Sequence, residues 1–162
     1  MTRLFIDSGI LIEYFKGERN AVELFDEILD LVKEGKVSVV VNPIVFSEVV
    51  FILAKYSTGK SYLTLRKNPE LITKNEQLKE VITYLLSPIF TRVGILPAIE
   101  DIAGELIIRY GLLPNDAFIL ATCKFYRVKY LISFDSDFED ACKKEGIVII
   151  DNIKKLKKEL GE

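Results

Sequence analysis

The chain has 162 residues, with 22 basic side chains, 24 acidic side chains and no histidine. This length suits one domain with a sizeable core, and 49% hydrophobic and 28% charged residues are typical of a globular protein. The lack of histidine excludes Ser-His-Asp and Cys-His nucleophiles, histidine-ligated zinc and imidazole pH switches. Acid, base or metal chemistry must therefore use carboxylates, Lys, Tyr or Cys.

The net charge of −2 provides no global basic field, so any nucleic-acid binding must be local. Cys123 and Cys142 form no CxxC pattern and are expected to be reduced, mostly buried thiols. The apolar stretch at the start is too short for a signal peptide, and no run approaches the roughly 18 apolar residues of a membrane span. We therefore expect a soluble, cytoplasmic protein without membrane contact.

Short apolar runs alternate with amphipathic segments along the chain. Runs rich in β-branched residues predict strands over 4–6, 37–41, 90–96, 130–133 and 147–150. Helical spacing of apolar residues predicts helices over 8–15, 21–33, 43–56, 75–86, 99–110, 115–126, 136–145 and 152–160, with Asn42 and Asn115 as caps. Residues 57–69 are predicted to form a loop or a short irregular helix.

This alternation predicts an α/β fold with three layers, in which helices cover both faces of a central, mostly parallel sheet of about five strands. The sequence contains no internal repeat and no linker, so we predict a single domain over residues 1–162. Its last segment, residues 151–162, is predicted to be a C-terminal helix.

Four acids occupy positions that are unusual for solvated side chains. Asp7 follows the first strand and Asp135 follows the fourth, at the carboxyl ends of the strands, where such sheets bind ligands. Glu48 and Asp116 lie in apolar helical segments, and neither has a basic residue three or four positions away. Converging carboxylates repel one another unless a hard divalent cation lies among them, and an all-oxygen site suits Mg²⁺ or Mn²⁺.

Each acid alone also has a purely structural interpretation. Asp7 and Asp135 could cap helices or stabilise turns, and Asp116 could stabilise the N-terminus of its helix. Glu48 could face solvent from a half-exposed helix. The four acids together, all predicted near one edge of the sheet, favour a metal site.

Four segments also match, in order, the motifs of a known family, and the likeness extends over about residues 3 to 150. On these motifs the chain resembles the PIN domain family of metal-dependent ribonucleases and, within it, the VapC-type toxins. The resemblance implies a PIN-like fold and an endoribonuclease that hydrolyses RNA phosphodiester bonds with one or two Mg²⁺ or Mn²⁺ ions. The segments are Leu4-Phe5-Ile6-Asp7-Ser8, the helix bearing Ser47-Glu48, Leu113-Pro114-Asn115-Asp116-Ala117, and Leu131-Ile132-Ser133-Phe134-Asp135-Ser136-Asp137-Phe138.

The resemblance assigns roles to particular residues. Ser8 and Ser133 would support the site through their hydroxyl groups. Asp137 would be an accessory acid and metal ligand, or equally a cap for its helix. The residues implied as catalytic and metal-binding are Asp7, Glu48, Asp116 and Asp135.

The resemblance also implies partners. VapC-type proteins often form homodimers and bind a small antitoxin in the acidic groove, so both partners are expected here besides the RNA substrate. A housekeeping RNA-processing nuclease and a non-catalytic PIN-like binding module are the alternatives. Residues 57–88 are longer than the corresponding segment of compact toxins and form a variable insert of helix and loop.

RNA is a polyanion, so basic side chains should line the surface by which it reaches an acidic site. Four of them form a candidate RNA approach beside the helix that carries Glu48, with Tyr56 and Tyr62 interleaved for base stacking. An ordinary solvated loop is the alternative interpretation. The four basic residues are Lys55, Lys60, Arg66 and Lys67.

Residues 54–61 approximate a phosphate-binding loop in which alanine replaces the first glycine. A true loop of this kind opens a long helix, but Pro69 arrives within eight residues of Ser61. Asn42-Pro43 also favours a helix rather than a strand before the loop. A nucleotide triphosphatase is therefore disfavoured.

Overall fold

The computed structural model describes residues 1–161 and is built around a parallel sheet. The five strands are β1 (Thr2–Ile6), β2 (Val37–Val41), β3 (Phe90–Arg92), β4 (Tyr130–Ile132) and β5 (Val148–Ile150). They lie in the order β3-β2-β1-β4-β5, and every neighbouring pair is parallel. Helices flank this sheet, which confirms the predicted three-layer α/β/α architecture.

The helices form the connections between the strands and the end of the described chain. Among the helices within residues 1–161, none combines the length and the apolar character that crossing a membrane demands. The helices are α1 (Ser8–Phe15), α2 (Arg19–Lys33), α3 (Pro43–Thr58), α4 (Tyr62–Lys67), α5 (Glu70–Thr73), α6 (Glu76–Leu85), α7 (Pro97–Tyr110), α8 (Pro114–Phe125), α9 (Glu139–Lys144) and α10 (Ile153–Leu160).

The strands are buried on both sides. Leu4, Phe5 and Ile6 follow one another in β1, and all three side chains are fully buried. Since successive side chains of a strand point to opposite faces, both faces of the sheet must be covered. This burial explains why the strands are near-continuous apolar runs rather than alternating patterns.

The strand order reverses between β1 and β4. From β1 the chain adds β2 and then β3 on one side, and it returns to place β4 on the other side of β1. Ile6 and Ile132 are paired at the carboxyl ends of these two strands. A crevice forms at such a reversal because the following connections leave in opposite directions, and ligands of open α/β sheets bind there.

Several predicted boundaries differ from those of the structure, among them the end of β3 and the starts of α8 and α9. Strand β3 ends at Arg92 rather than at residue 96, because the N–H of Val93 makes the last bond to β2, at 2.9 Å from the Val41 carbonyl, and β2 itself ends there. Helix α8 is not capped by Asn115 but begins at Pro114, whose missing N–H and fixed φ suit a first helical position. Helix α9 begins at Glu139 rather than at residue 136.

The segment predicted as an insert is mostly helical. Helix α3 continues to Thr58 and ends at Gly59, whose φ of +66° is costly for other residues. Residues 54–58 are therefore helical, which rules out the phosphate-binding loop there. The short helix predicted within 57–69 is α4, whereas α5 was not predicted. Helix α10 confirms the predicted C-terminal helix, although residue 162 lies outside the described part of the chain.

Candidate active site

Asp7 is a buried carboxylate at the reversal of strand order. It directly follows β1, and only 7% of its surface is exposed. Its N–H donates to the Ile132 carbonyl at 3.0 Å, which extends the pairing of β1 with β4 by one residue. Its Oδ1 accepts a hydrogen bond from the Ser8 N–H at 2.8 Å, so Asp7 is also the N-cap of α1, as its structural interpretation expected.

Ser133 joins the two acids that follow neighbouring strands. Its buried hydroxyl donates to Asp7 Oδ2 at 2.7 Å and accepts from the Asp135 N–H at 3.1 Å. Burial raises the pKa of Asp7, the Ser133 and Ser8 hydrogen bonds oppose that rise, and the charge of Asp135 adds to it. Ser133 therefore fixes the Asp7 carboxylate and favours its ionised form.

Asp135 and Asp137 form a turn of their own. The Asp137 N–H donates to Asp135 Oδ1 at 2.8 Å, and the Glu139 N–H donates to the Ser136 carbonyl at 3.1 Å. This turn delays the start of α9, whose cap residue is Phe138. The alternative interpretation of Asp137 as a helix cap is therefore wrong, and its side chain is exposed beside Asp135.

Glu48 approaches the same region from α3. The Ser8 hydroxyl donates to Glu48 Oε1 at 3.3 Å, and the Asn115 side chain lies close by. Partial burial and the charge of Asp7 raise the pKa of Glu48, while the side chains of Asn115 and Ser8 oppose the rise. The side chain of Asn115, expected to be a helix cap, contacts a site acid instead.

Asp116 has the most strongly perturbed carboxyl group of the four. It is half-buried in the first turn of α8. Desolvation, followed by the charges of Asp135, Asp7, Glu48 and Asp137, raises its pKa from 3.8 to about 6. The fold therefore brings all five predicted acids close enough together to repel one another.

A buried amide holds the helix of Glu48 against the helix of Asp116. Asn42 caps α3 by accepting from the Val45 N–H at 3.1 Å, and its Nδ2 donates to Thr122 Oγ1 on α8 at 2.9 Å. Asn42 is only 2% exposed, and Thr122 is fully buried. The cap was predicted from the sequence, whereas the bond across 80 residues has no local signal.

The acidic group, which consists of Asp7, Glu48, Asp116, Asp135 and Asp137, is not neutralised by cationic side chains of the described residues. Within residues 1–161, Lys and Arg form their ion pairs with other acids, and none reaches these five within 4.0 Å. The described residues also contain no set of three acidic or cysteine side chains arranged to hold one metal ion. The oxygen donors suit a hard divalent cation, but their side chains would have to rotate to share one.

The predicted RNA approach is exposed and lies at the end of α3 and on α4. Lys55 extends along α3 with its Nζ 5.3 Å from the centre of the Phe51 ring. Sequence reasoning did not include Lys16, at the end of α1, whose Nζ lies 4.7 Å above the Tyr56 ring. The exposed members are Lys55, Lys60, Arg66 and Lys67.

Comparison with known proteins decides the family. The model of the PIN domain matches residues 4–144, most of the chain. The chain belongs to the PIN domain family. A protein named Ribonuclease VapC2, from Methanocaldococcus jannaschii, is 36% identical over 137 residues, which cover 85% of this chain and 87% of that protein. Ribonuclease VapC6 of the same organism is 33% identical over 144 residues, covering 85% and 92%.

Solved structures share the PIN fold at lower identity. VapC20 of Mycobacterium tuberculosis, described as a toxin that cleaves the sarcin-ricin loop, superposes with a TM-score of 0.64 at 16% identity and covers 90% of this chain and 96% of its own. A toxin-antitoxin complex from Klebsiella pneumoniae gives 0.60 at 23% identity, with coverage of 90% and 95%. These likenesses support the PIN fold independently of the sequence match.

Proposed function

We propose that this PIN domain protein is a metal-dependent endoribonuclease and the toxin of a toxin–antitoxin pair. One observation carries the proposal: Asp7, buried at the reversal of strand order and fixed by Ser133, lies among acids that raise one another's pKa. Such a group is unfavourable in the folded protein unless a cation joins it. Its relatives VapC2 and VapC6 are named ribonucleases, which supports RNA as the substrate.

The donor set suits Mg²⁺ or Mn²⁺, in one or two ions. PIN ribonucleases generally depend on divalent metals. A bound ion of this class lowers the pKa of a coordinated water and offsets charge on the scissile phosphate. We propose Asp7 and Asp116 as the direct ligands, with Glu48 and Asp135 binding directly or through waters and Asp137 as an accessory acid.

The protein's own groups would orient the reaction. Ser133 holds the Asp7 carboxylate and Ser8 holds that of Glu48. Because both carboxylates are already oriented, they lose little conformational freedom when the reactants bind. One of Glu48 and Asp135 would orient the attacking water as a hydrogen-bond acceptor. Water then adds to phosphorus, the P–O bond to one ribose breaks, and the proton lost by the water leaves with the departing oxygen.

Basic side chains would bring the polyanion to this acidic site. Lys55, Lys60, Arg66 and Lys67 are exposed beside the helix of Glu48 and are the proposed approach. Their contribution would be electrostatic, so it should weaken as salt rises. Charge reversal of Arg66 should therefore raise KM at low salt far more than it changes kcat.

The partners and the location are also proposals. The structures that share the fold include toxin–antitoxin complexes, so a small antitoxin that covers the acidic group is expected. The resemblance to VapC-type proteins implies a homodimer as well. A cytoplasmic location fits such a toxin. If the chain copurifies with the product of an adjacent small gene, the toxin role is supported; a housekeeping nuclease should purify without it.

RNA cleavage by the purified protein tests the activity. Cleavage should require Mg²⁺ or Mn²⁺ and stop with a chelator, and its products should carry no 2′,3′-cyclic phosphate, because water rather than the ribose 2′-hydroxyl attacks. Metal-independent cleavage with cyclic products would indicate a contaminating nuclease. A folded protein that cleaves no RNA in either metal would favour the binding module, and ATP hydrolysis should be at background.

A further inference from the structure

A cavity of about 510 Å³ lies between α1, α3 and α6, away from the acids. Aromatic and aliphatic side chains share its walls with a cation, a carboxylate and an amide. The Tyr14 and Tyr84 rings are inclined by 26° at 6.5 Å between their centres, and burial, together with the neighbouring Tyr14, raises the pKa of Tyr84 to about 12. The lining includes Tyr14, Lys16, Tyr56, Gln77, Glu80 and Tyr84.

Two contacts between α1 and α3 relate this cavity to the acids. At one end Ser8 bonds Glu48, and at the other end Lys16 lies over Tyr56. Both helices advance by eight residues between the two contacts, so they run side by side in the same direction. Eight residues of helix span roughly 12 Å, a distance covered by roughly two to four nucleotides of a single strand.

The chemistry of the walls fits a nucleobase. Tyrosine faces stack on any base, and Lys16 can add a contact to phosphate or to the ring system. Gln77 and Glu80 are three residues apart on α6, so both reach the cavity from one face of that helix. A carboxylate accepts from an exocyclic amino group, which adenine, cytosine and guanine carry and uracil lacks.

We propose that this cavity binds one flanking base of the substrate RNA and selects a base that bears an amino group. The proposal rests on the proposed ribonuclease function and adds to it a position of sequence selection two to four nucleotides from the scissile bond. A protein side chain of apolar character is a poorer occupant, because it would desolvate Lys16, Gln77 and Glu80 without replacing their hydrogen bonds.

Cleavage of an oligoribonucleotide pool with a randomised stretch tests the proposal, with product ends sequenced for each variant. The wild type should disfavour uracil about tenfold at one position in this range. Glu80→Gln should remove that bias, because an amide both donates and accepts. Tyr56→Ala should weaken selection of every base there, and thermal melts should show that both exposed substitutions leave the fold intact.

Tyr62→Ala is the matched comparison. Tyr62 is exposed like Tyr56 but packs on Phe51, 5.8 Å between ring centres, outside this cavity. It should retain the uracil bias that Glu80→Gln and Tyr56→Ala lose. If the wild type cleaves RNA without this bias, or the bias survives both cavity variants, the cavity proposal is overturned and the ribonuclease function stands. If the wild type cleaves no RNA, both are overturned.

Discussion

Asp116→Asn should make the metal-free protein more stable while it removes activity. The carboxylate at residue 116 is half-buried, and desolvation, followed by the charges of four other acids, raises its pKa to about 6. A neutral amide of the same shape removes this repulsion without creating a cavity. If the carboxylate of Asp116 served only to stabilise the fold, its replacement would lower the free energy of unfolding rather than raise it.

The magnitude follows from the pKa. A rise from 3.8 to about 6 corresponds to about 3 kcal/mol. Because the side chain is partly exposed, solvent screening reduces the expected gain to about 1–2 kcal/mol. The folded pKa lies above the unfolded value, so the carboxylate costs nothing below about pH 4, and its cost grows to its full value as the pH rises through about 6.

Urea unfolding of the wild type and Asp116→Asn, in a chelator at pH 4.5 and at pH 7.5, measures this difference. The variant should be more stable by about 1–2 kcal/mol at the higher pH and by much less at the lower pH. Adding Mn²⁺ should stabilise the wild type and leave the variant nearly unchanged. An equal or lower stability of the variant at pH 7.5, or a gain independent of pH, would refute the reasoning.

Three further substitutions probe hydrogen bonds and ion pairs in the site and in the fold around it. Ser133→Ala should lower the apparent metal affinity about 10–100-fold, with rescue by threonine and no effect of Ser136→Ala, and unchanged metal titrations would contradict this. Asn42→Ala should lower the free energy of unfolding by about 2 kcal/mol, since α3 loses its cap and its bond to α8; a loss below 0.5 kcal/mol would count against it. Glu145 bonds Arg109, Lys124 and Tyr110, which hold its pKa below the usual range, with Lys124 the main cause. Glu145→Gln should therefore cost about 1–2 kcal/mol above about pH 4.5, and this gap should close as the pH falls through the lowered pKa; a gap that persists in acid would exclude the ion pairs as its origin.

The sheet and the place of its acids could be predicted because their signals are local. The run ending at Ile6 is apolar on both faces of a strand, which indicates a covered parallel strand, and Asp7 follows it directly. The same reasoning places Asp135 near the end of β4. The alternation of strands and helices then brings both acids to one edge of the sheet.

The finer structure of the site depends on contacts between distant residues. Asn115 follows Pro114 and looks like a helix cap, but its side chain lies beside Glu48, which is remote in the sequence. The start of α9 is set by the Asp137 N–H bonding to the Asp135 side chain, which competes with the first helical turn. Lys16 meets Tyr56 only because α1 and α3 lie side by side.

Metal-dependent cleavage by Asp7→Asn, compared with Asp151→Asn, tests the central claim most directly. Asp151 also follows a strand, β5, at the same edge of the sheet, but its side chain is exposed. With both folds verified by circular dichroism, Asp7→Asn should lose RNA cleavage about 100-fold or more in Mg²⁺ and Mn²⁺, while Asp151→Asn should cleave like the wild type. Undiminished metal-dependent cleavage by Asp7→Asn would contradict the assignment of this acidic group as the active site.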